Sequence, residues 1–455
     1  MKTIIMATAI GLMLIASCNA ESADTTQTQA DKILPYPIYQ HKMANGLNVV
    51  TVPFDSPGLA ALYIITRVGA RNEVEPGVTG FAHFFEHMMF RGTDNYSKEE
   101  YGAALKSTGA AANANTTQDR TAYHMTGNSE KLELLFELES DRFMNLKYSE
   151  HEFKTEAGAV KGEYTKNFAS PYGQIYEKRS ETAFTTHTYS HTTMGYFDDI
   201  VDMPNQYEYS KLFFDRYYRP EYNTILVVGD VTAEKVNALA EKYFGAWQRG
   251  SYVSVVPVEP EQTETRYVHL QDGSIPAYFS MSYKGPAFSD TEIDMPALDV
   301  LASIVFSNTS DLYKKLVIEE QIIRSISGGA SDSRDPGLFT IQVSMVEKED
   351  MPYVMAEIEK AIAKVKTEDV NAALLARTKS NLKYSFAMGI DTPGSIARSL
   401  SHYIQLTGDP ESINRLYALY DQVSVDDVKM VANKYFEADR LTIATISEDE
   451  LGALK

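Results

Sequence analysis

Residues 81–90 read Phe-Ala-His-Phe-Phe-Glu-His-Met-Met-Phe, an apolar run carrying two histidines and one glutamate. On a helix, His83 and His87 stand one turn apart on the same face, with Glu86 beside them. Phe84, Phe85, Met88, Met89 and Phe90 then anchor that helix in a core. Titratable groups inside such a run are costly unless they are coordinated or paired. The chain must therefore bury a helix around a polar cluster. Two imidazoles at i and i+4 can share one zinc ion at ~2.0–2.1 Å from each nitrogen, which leaves the carboxylate free to act on water.

With 9 histidines in 455 residues, HxxEH arises by accident in roughly one such chain in a hundred. A third ligand decides the matter. Glu152, Glu156 and Glu163 lie on a helix predicted from about Glu150 to Tyr164, spaced so that all three fall near one face. Solvated glutamate faces are also common on helices, so spacing alone leaves both readings open. His187 and His191 repeat the i, i+4 spacing, but with no acid between them and in a Thr-, Ser- and Tyr-rich segment. They are read as loop residues, not as a second metal site. His41, His124, His151, His269 and His402 are isolated.

The rest of the chain frames this motif. Lys2 precedes an uncharged, mostly apolar run from Ile4 to Ala16. It is shorter than the ~20 residues of a membrane span and matches a secretory signal. The run ends Leu-Ile-Ala-Ser-Cys18, which resembles a bacterial lipobox; cleavage after Ala20, with loss of Cys18, is the alternative. The first expectation makes the protein an exported, periplasmic lipoprotein held to a membrane only by that lipid. Cys18 is the sole cysteine, which excludes an intrachain disulfide and a cysteine-type zinc site. Residues 21–33 read as a flexible tether. Against 62 Asp and Glu stand 42 Lys and Arg, a net charge of −20, which argues against a nucleic-acid partner.

Strands are predicted at Leu47–Val52 and Leu62–Val68, and an amphipathic helix at Ser129–Asn145. Helices and strands alternate without a Gly-rich phosphate loop. The expected class is α+β, with helices over largely antiparallel sheets. Thr232–Trp247 and Ser424–Asp439 share Val, Ala and Lys-Tyr-Phe at matching offsets, which suggests duplicated domains. The expected organisation is a signal segment at 1–20, an N-terminal domain at 34–248, a linker at 249–265 and a homologous C-terminal domain at 266–455.

HxxEH followed by Glu156 and Glu163 resembles the pitrilysin family of zinc peptidases, which carry the inverted form of the HExxH motif. The surroundings are similar too: Asn45-Gly46-Leu47, Val68 to Glu73, Gly80-Phe81-Ala82, Phe90 to Thr93, Thr121-Ala122-Tyr123, Tyr218-Arg219-Pro220 and Val228-Gly229-Asp230. The resemblance spans the chain from about Leu34 onward. It implies a two-domain zinc endopeptidase acting on peptides or unfolded segments. It implies His83, His87 and Glu163 as ligands of one zinc ion, Glu86 as general base and Glu156 as the residue that orients a histidine. Asn113 and Ala114 resemble an edge strand that holds peptide by main-chain hydrogen bonds; a polar loop is the other reading. A non-catalytic assembly subunit of the same fold is the alternative function.

One departure stands out. Many members carry Arg and Tyr seven residues apart in the C-terminal half. In the matching segment, Leu312 to Ser325, those positions are Val317 and Arg324. The resemblance therefore points to the short bacterial members that work as two unlike subunits. A heterodimer with a zinc-less homologous partner is expected, the alternative being a homodimer in which Arg324 substitutes.

Overall fold

The structure, a computed structural model, describes residues 32–449. Cys18, the signal segment and residues 21–31 lie outside the described residues. Two sheets, each with helices against it, make up the fold. The first contains β1 (Tyr39–Lys42), β2 (Asn48–Pro53), β3 (Leu59–Thr66), β4 (Ala111–Thr116), β5 (Thr121–Asn128) and β6 (Asn223–Gly229), in the order β1-β2-β6-β3-β5-β4. The second contains β7 (Arg266–Gln271), β8 (Tyr278–Lys284), β9 (Ile323–Ala330), β10 (Leu338–Met345) and β11 (Leu441–Ser447), in the order β7-β11-β8-β10-β9. The β2–β6 and β7–β11 pairs are parallel, and the other named pairs are antiparallel. This is the α+β class expected.

The helices of the first half are α1 (Phe81–Met88), α2 (Lys98–Ser107), α3 (Leu132–Asn145), α4 (Glu150–Asn167), α5 (Pro171–Ala183), α6 (Phe197–Asp202), α7 (Tyr207–Tyr217) and α8 (Ala233–Phe244). Those of the second are α9 (Asp294–Phe306), α10 (Asp311–Tyr313), α11 (Met351–Thr367), α12 (Ala372–Ala387), α13 (Pro393–Thr407), α14 (Ser412–Gln422) and α15 (Val425–Tyr435). A π-helical turn, Lys314–Glu319, follows α10. Among the described residues no helix is long and apolar enough to cross a membrane.

Apart from β1, which has no counterpart in the second sheet, the strand orders of the two halves match, but the helix pair that suggested a duplication does not. By topology α15 precedes the last strand of its sheet, as α7 precedes β6. The helix that shares the Lys-Tyr-Phe pattern with α15 is α8, which follows β6. Both α8 and α15 are amphipathic helices with a Thr or Ser cap, and like patterns arise wherever such a helix packs on a sheet.

Strand β3 is buried from Ala60 to Thr66, because both faces of the sheet are covered. Leu62 and Ile64 face a core with α1 and α3, whereas Ala61, Tyr63 and Ile65 face a core containing Ile396, Ala397, Leu400 and Ile404 of α13. Helix α5 is displaced the other way: Ile175 packs against Ala444 and Ile446 of β11. Each half thus lends one helix to the other's sheet.

The segment 249–265 runs in irregular conformation between the halves. It is pinned, since Glu259 accepts the backbone N–H groups of Thr185, Thr186 and His187. At the N-terminal end, Lys32 pairs with Glu411 at 3.0 Å and the Leu34 N–H donates to Asn414. The last residues of the expected tether, Lys32 and Ile33, are therefore held against the second half.

Candidate active site

Helix α1 has no side-chain cap. Its N-cap is Gly80, at φ +88°. The fully buried carboxylate of Glu73 takes that role, accepting the N–H groups of Gly80 at 2.8 Å and Ala82 at 2.7 Å. Burial pushes the Glu73 carboxyl up to about 8, against the pull of these backbone donors. Phe81, Phe84, Phe85 and Met88 seat the helix in the core of the first half, as the apolar run requires. The Tyr123 hydroxyl, on β5 beside the edge strand β4, donates to the Phe85 carbonyl.

On the other side of α1 the histidines meet α4. Ser149 begins α4 with a capping box: its hydroxyl accepts from the Glu152 N–H, and the Glu152 carboxylate accepts the Ser149 N–H. That contact uses Glu152 and leaves Glu156 and Glu163 facing α1. Glu163 Oε2 lies 3.7 Å from His83 Nε2 and 3.4 Å from His87 Nε2. Glu156 Oε1 lies 2.9 Å from His87 Nδ1, and Glu156 also accepts from Arg91.

The donor atoms of His83, His87 and Glu163 lie within 4.8 Å of one another, the single such group among the described residues. The set fits zinc, because two imidazoles and one carboxylate leave the fourth position open, as a catalytic site requires. Burial, and then the His87 ring, pushes His83 down to about 4, which keeps its lone pair available. The hydrogen bond with Glu156 is the first cause of a raised His87. His187 and His191 stand apart: His187 Nε2 is 2.8 Å from Asp335, and His191 Nδ1 is 3.8 Å from Glu73.

Glu86 is held by Thr116, whose hydroxyl donates to Oε2 at 2.7 Å. Burial raises its carboxyl above the ordinary range, so it can take up a proton closer to neutral pH. Thr116 ends β4, the edge strand of the first sheet, so Asn113 and Ala114 lie on a strand with one side unpaired. A cavity of about 300 Å³ is lined by Glu86, His87, Arg91, Asn113, Ala114 and Glu156, among others. It joins the acid, one histidine and the free strand edge.

Arg91, Thr116 and Glu73 lie in or beside stretches that resemble the family but were given no role from the sequence. Arg91 had a further signal, since it stands one turn beyond His87. The roles of Thr116 and Glu73 had none, because they reach the motif only through tertiary packing. Val317 lies in the π-helical turn, and Arg324 lies on β9 with its Nε donating to the Met345 carbonyl at 3.1 Å.

The family model "Insulinase (Peptidase family M16)" matches residues 55–196, and "Peptidase M16 inactive domain" matches residues 206–382. The zinc protease PqqE of Helicobacter pylori is 28% identical over 88% of this chain and 90% of its own length. The bovine mitochondrial-processing peptidase subunit beta is 23% identical over 94% of this chain and 88% of its own. The crystal structure of a protease from Helicobacter pylori aligns with a TM-score of 0.83 and 28% identity, covering 90% of this chain and 99% of that one. Both halves match models of one family, and the strand orders repeat between them. The chain belongs to the pitrilysin-type M16 family of peptidases, as a two-domain member.

Proposed function

We propose that this chain is a zinc-dependent endopeptidase that hydrolyses peptides or unfolded protein segments. The observation that carries the proposal is the convergence of His83 Nε2, His87 Nε2 and Glu163 Oε2 beside a cavity that Glu86 shares with a sheet edge. His83, His87 and Glu163 would hold one zinc ion, which supplies Lewis-acid activation of carbonyl and water when bound. Glu86, oriented by Thr116, accepts the proton of the attacking water and returns it to the leaving amine. Glu156 fixes the ring orientation of His87 from the far nitrogen. Asn113 and Ala114, on edge strand β4, receive the peptide as an added strand, so that main-chain hydrogen bonds supply affinity without demanding a sequence.

The N-terminal domain is assigned to 34–248, with 249–265 connecting it to the C-terminal domain. The Arg and Tyr missing at Val317 and Arg324 are assigned to a homologous zinc-less partner, because the Arg324 side chain is occupied by a carbonyl of its neighbouring strand. Export to the periplasm and lipid attachment at Cys18 rest on the N-terminal sequence alone.

The test uses the purified chain with and without a relative that carries the Arg and Tyr but lacks HxxEH. Glu86→Gln is expected to retain stoichiometric zinc and lose peptide cleavage, while His87→Ala loses zinc. Full zinc with no cleavage under any pairing would favour a non-catalytic assembly subunit. Robust cleavage by the chain alone would remove the need for a partner.

A further inference from the structure

The two exchanged helices cover unlike surfaces. Under α13 the face of the first sheet is apolar, with Val50, Val52, Ala61, Tyr63, Ile65 and Val228 all buried. Under α5 the corresponding face of the second sheet carries Ser280, Ser282, Thr340, Gln342 and Thr442. Helix α5 closes on this face at its two ends, through Ile175 against Ala444 and Ile446, and through Ala183, with Phe184 just beyond, against Leu338. Between those contacts lies a cavity of about 620 Å³, bounded also by the β4–β5 turn and by Gly328 and Gly329 of β9. Its lining shares no residue with the cavity at Glu86.

Arg179 of α5 stands in the wall of this cavity. It is only 8% exposed, and its guanidinium lies 4.6 Å from the Tyr176 ring. Its buried Nε has no hydrogen-bond partner among the described residues. The acids that line the cavity are engaged elsewhere: Asp119 with Tyr189 and the Arg334 N–H, and Asp332 with His402. Nε is thus a buried donor left unsatisfied, which an anion in the cavity can complete.

The chemistry of the wall selects that anion. One guanidinium among hydroxyl and amide groups balances one negative charge, and its planar fork matches a carboxylate. A doubly charged phosphate would meet no second free cation here and a chain of net charge −20. We propose that Arg179 and the hydroxyl-bearing floor of the second sheet form a subsite for a peptide carboxylate, separate from the HxxEH cavity. That the carboxylate belongs to a peptide rests on the endopeptidase reading; the anion site itself rests on the geometry around Arg179.

The experiment uses the Glu86→Gln chain, so that bound peptide is not consumed. A fluorescein-labelled twelve-residue peptide is compared as the free acid, as the C-terminal amide, and as an amide carrying one internal glutamate. The free acid is expected to bind at least about tenfold more tightly than the plain amide. Both Arg179→Gln and Gln342→Glu, which sets a competing carboxylate in the same cavity, should abolish that ratio. The glutamate-bearing amide then tells a terminal carboxylate from a side-chain one. An unchanged ratio in both variants, or no preference in the parent, would overturn the subsite. If no peptide binds, the endopeptidase reading is what fails, and the site is read by p-hydroxyphenylglyoxal labelling of Arg179. Slower labelling with N-acetylglycine but not with N-acetylglycinamide supports the carboxylate site. Equal rates overturn it.

Discussion

Glu156 and Glu163 stand two helical turns apart on α4 and do different work. Glu163 presents an oxygen to both histidine Nε2 atoms, whereas Glu156 reaches only His87 Nδ1 and Arg91. The sequence placed three acids near one face and could not rank them. The distinction comes from the Ser149 cap, which uses Glu152, and from the position of Arg91 on the turn after α1. On the proposed assignment Glu156 orients His87 without ligating the metal, so Glu156→Gln should keep the fold and weaken zinc binding about 10–100-fold, measured by competition with a chelator. Unchanged affinity would show that His87 is held by packing alone. Gly80 offers a second residue-scale prediction. Its φ of +88° lies in the left-handed region, and a Cβ there would meet Ile200 Cδ1 at 2.4 Å and the Met194 carbonyl oxygen at 2.9 Å. Gly80→Ala should cost about 1–2 kcal/mol from backbone strain alone, seen as a lower melting temperature. Since α1 begins at this residue, zinc content should fall as well; a variant with unaltered stability and zinc would contradict the strain argument.

Among the elements, those with strong local patterns were legible. The apolar run at 81–90 became α1, the predicted strand at Leu47–Val52 became β2, and the Asn113–Thr116 segment falls on an edge strand. Two features were hidden. The π-helical turn at Lys314–Glu319, which contains Val317, has no signature in side-chain periodicity. The duplication was visible as an idea but attached to the wrong helix, because the topology is read from strand pairing and not from helix pattern. Helix α9 shows how an element can carry a cost. Asp299 lies half-buried on it and accepts from the Tyr420 hydroxyl of α14. Burial, then the charge of Asp332, pushes its carboxyl up to about 7. The folded state thus holds a proton that the unfolded chain releases near pH 4. Between about pH 4 and 7 stability should fall as pH rises, by at most ~1.4 kcal/mol per pH unit from this group, and level off above. Asp299→Asn keeps an acceptor for Tyr420 and should remove that slope, making the protein more stable than the parent at pH 8. Urea unfolding across this range reads it directly, and parallel pH profiles would rule Asp299 out as the source.

At the scale of the whole molecule, the halves are joined by more than a linker. Exchange of α5 and α13 means that the first half alone would expose Val50, Val52, Ala61, Tyr63 and Ile65, the Val and Ile side chains each worth roughly 1.5–3 kcal/mol when buried. The sequence could not reveal this, since an apolar strand reads the same whichever half supplies its cover. A polar clamp crosses the same interface. Asp335 accepts from Arg71 Nε at 2.5 Å and Nη2 at 3.0 Å, and lies 2.8 Å from His187 Nε2. Arg71 follows β3, and His187 lies in the segment after α5. Burial alone would raise the Asp335 carboxyl, but His187 and Arg71 outweigh it and hold it well below the ordinary carboxylate range. The sign follows. A depressed carboxyl stabilises the fold at all pH values above its unfolded pKa, near 4, and that contribution is lost as pH falls below it. Asp335→Asn should therefore destabilise the protein at pH 7 by about 1–3 kcal/mol, and the gap between variant and parent should begin to narrow only as pH falls below about 4. The loss should appear first at the interface, as faster amide exchange in residues 185–191 and 331–337 before the β3 core. If exchange instead rose uniformly through both sheets, the clamp would be one more contact in a single cooperative core.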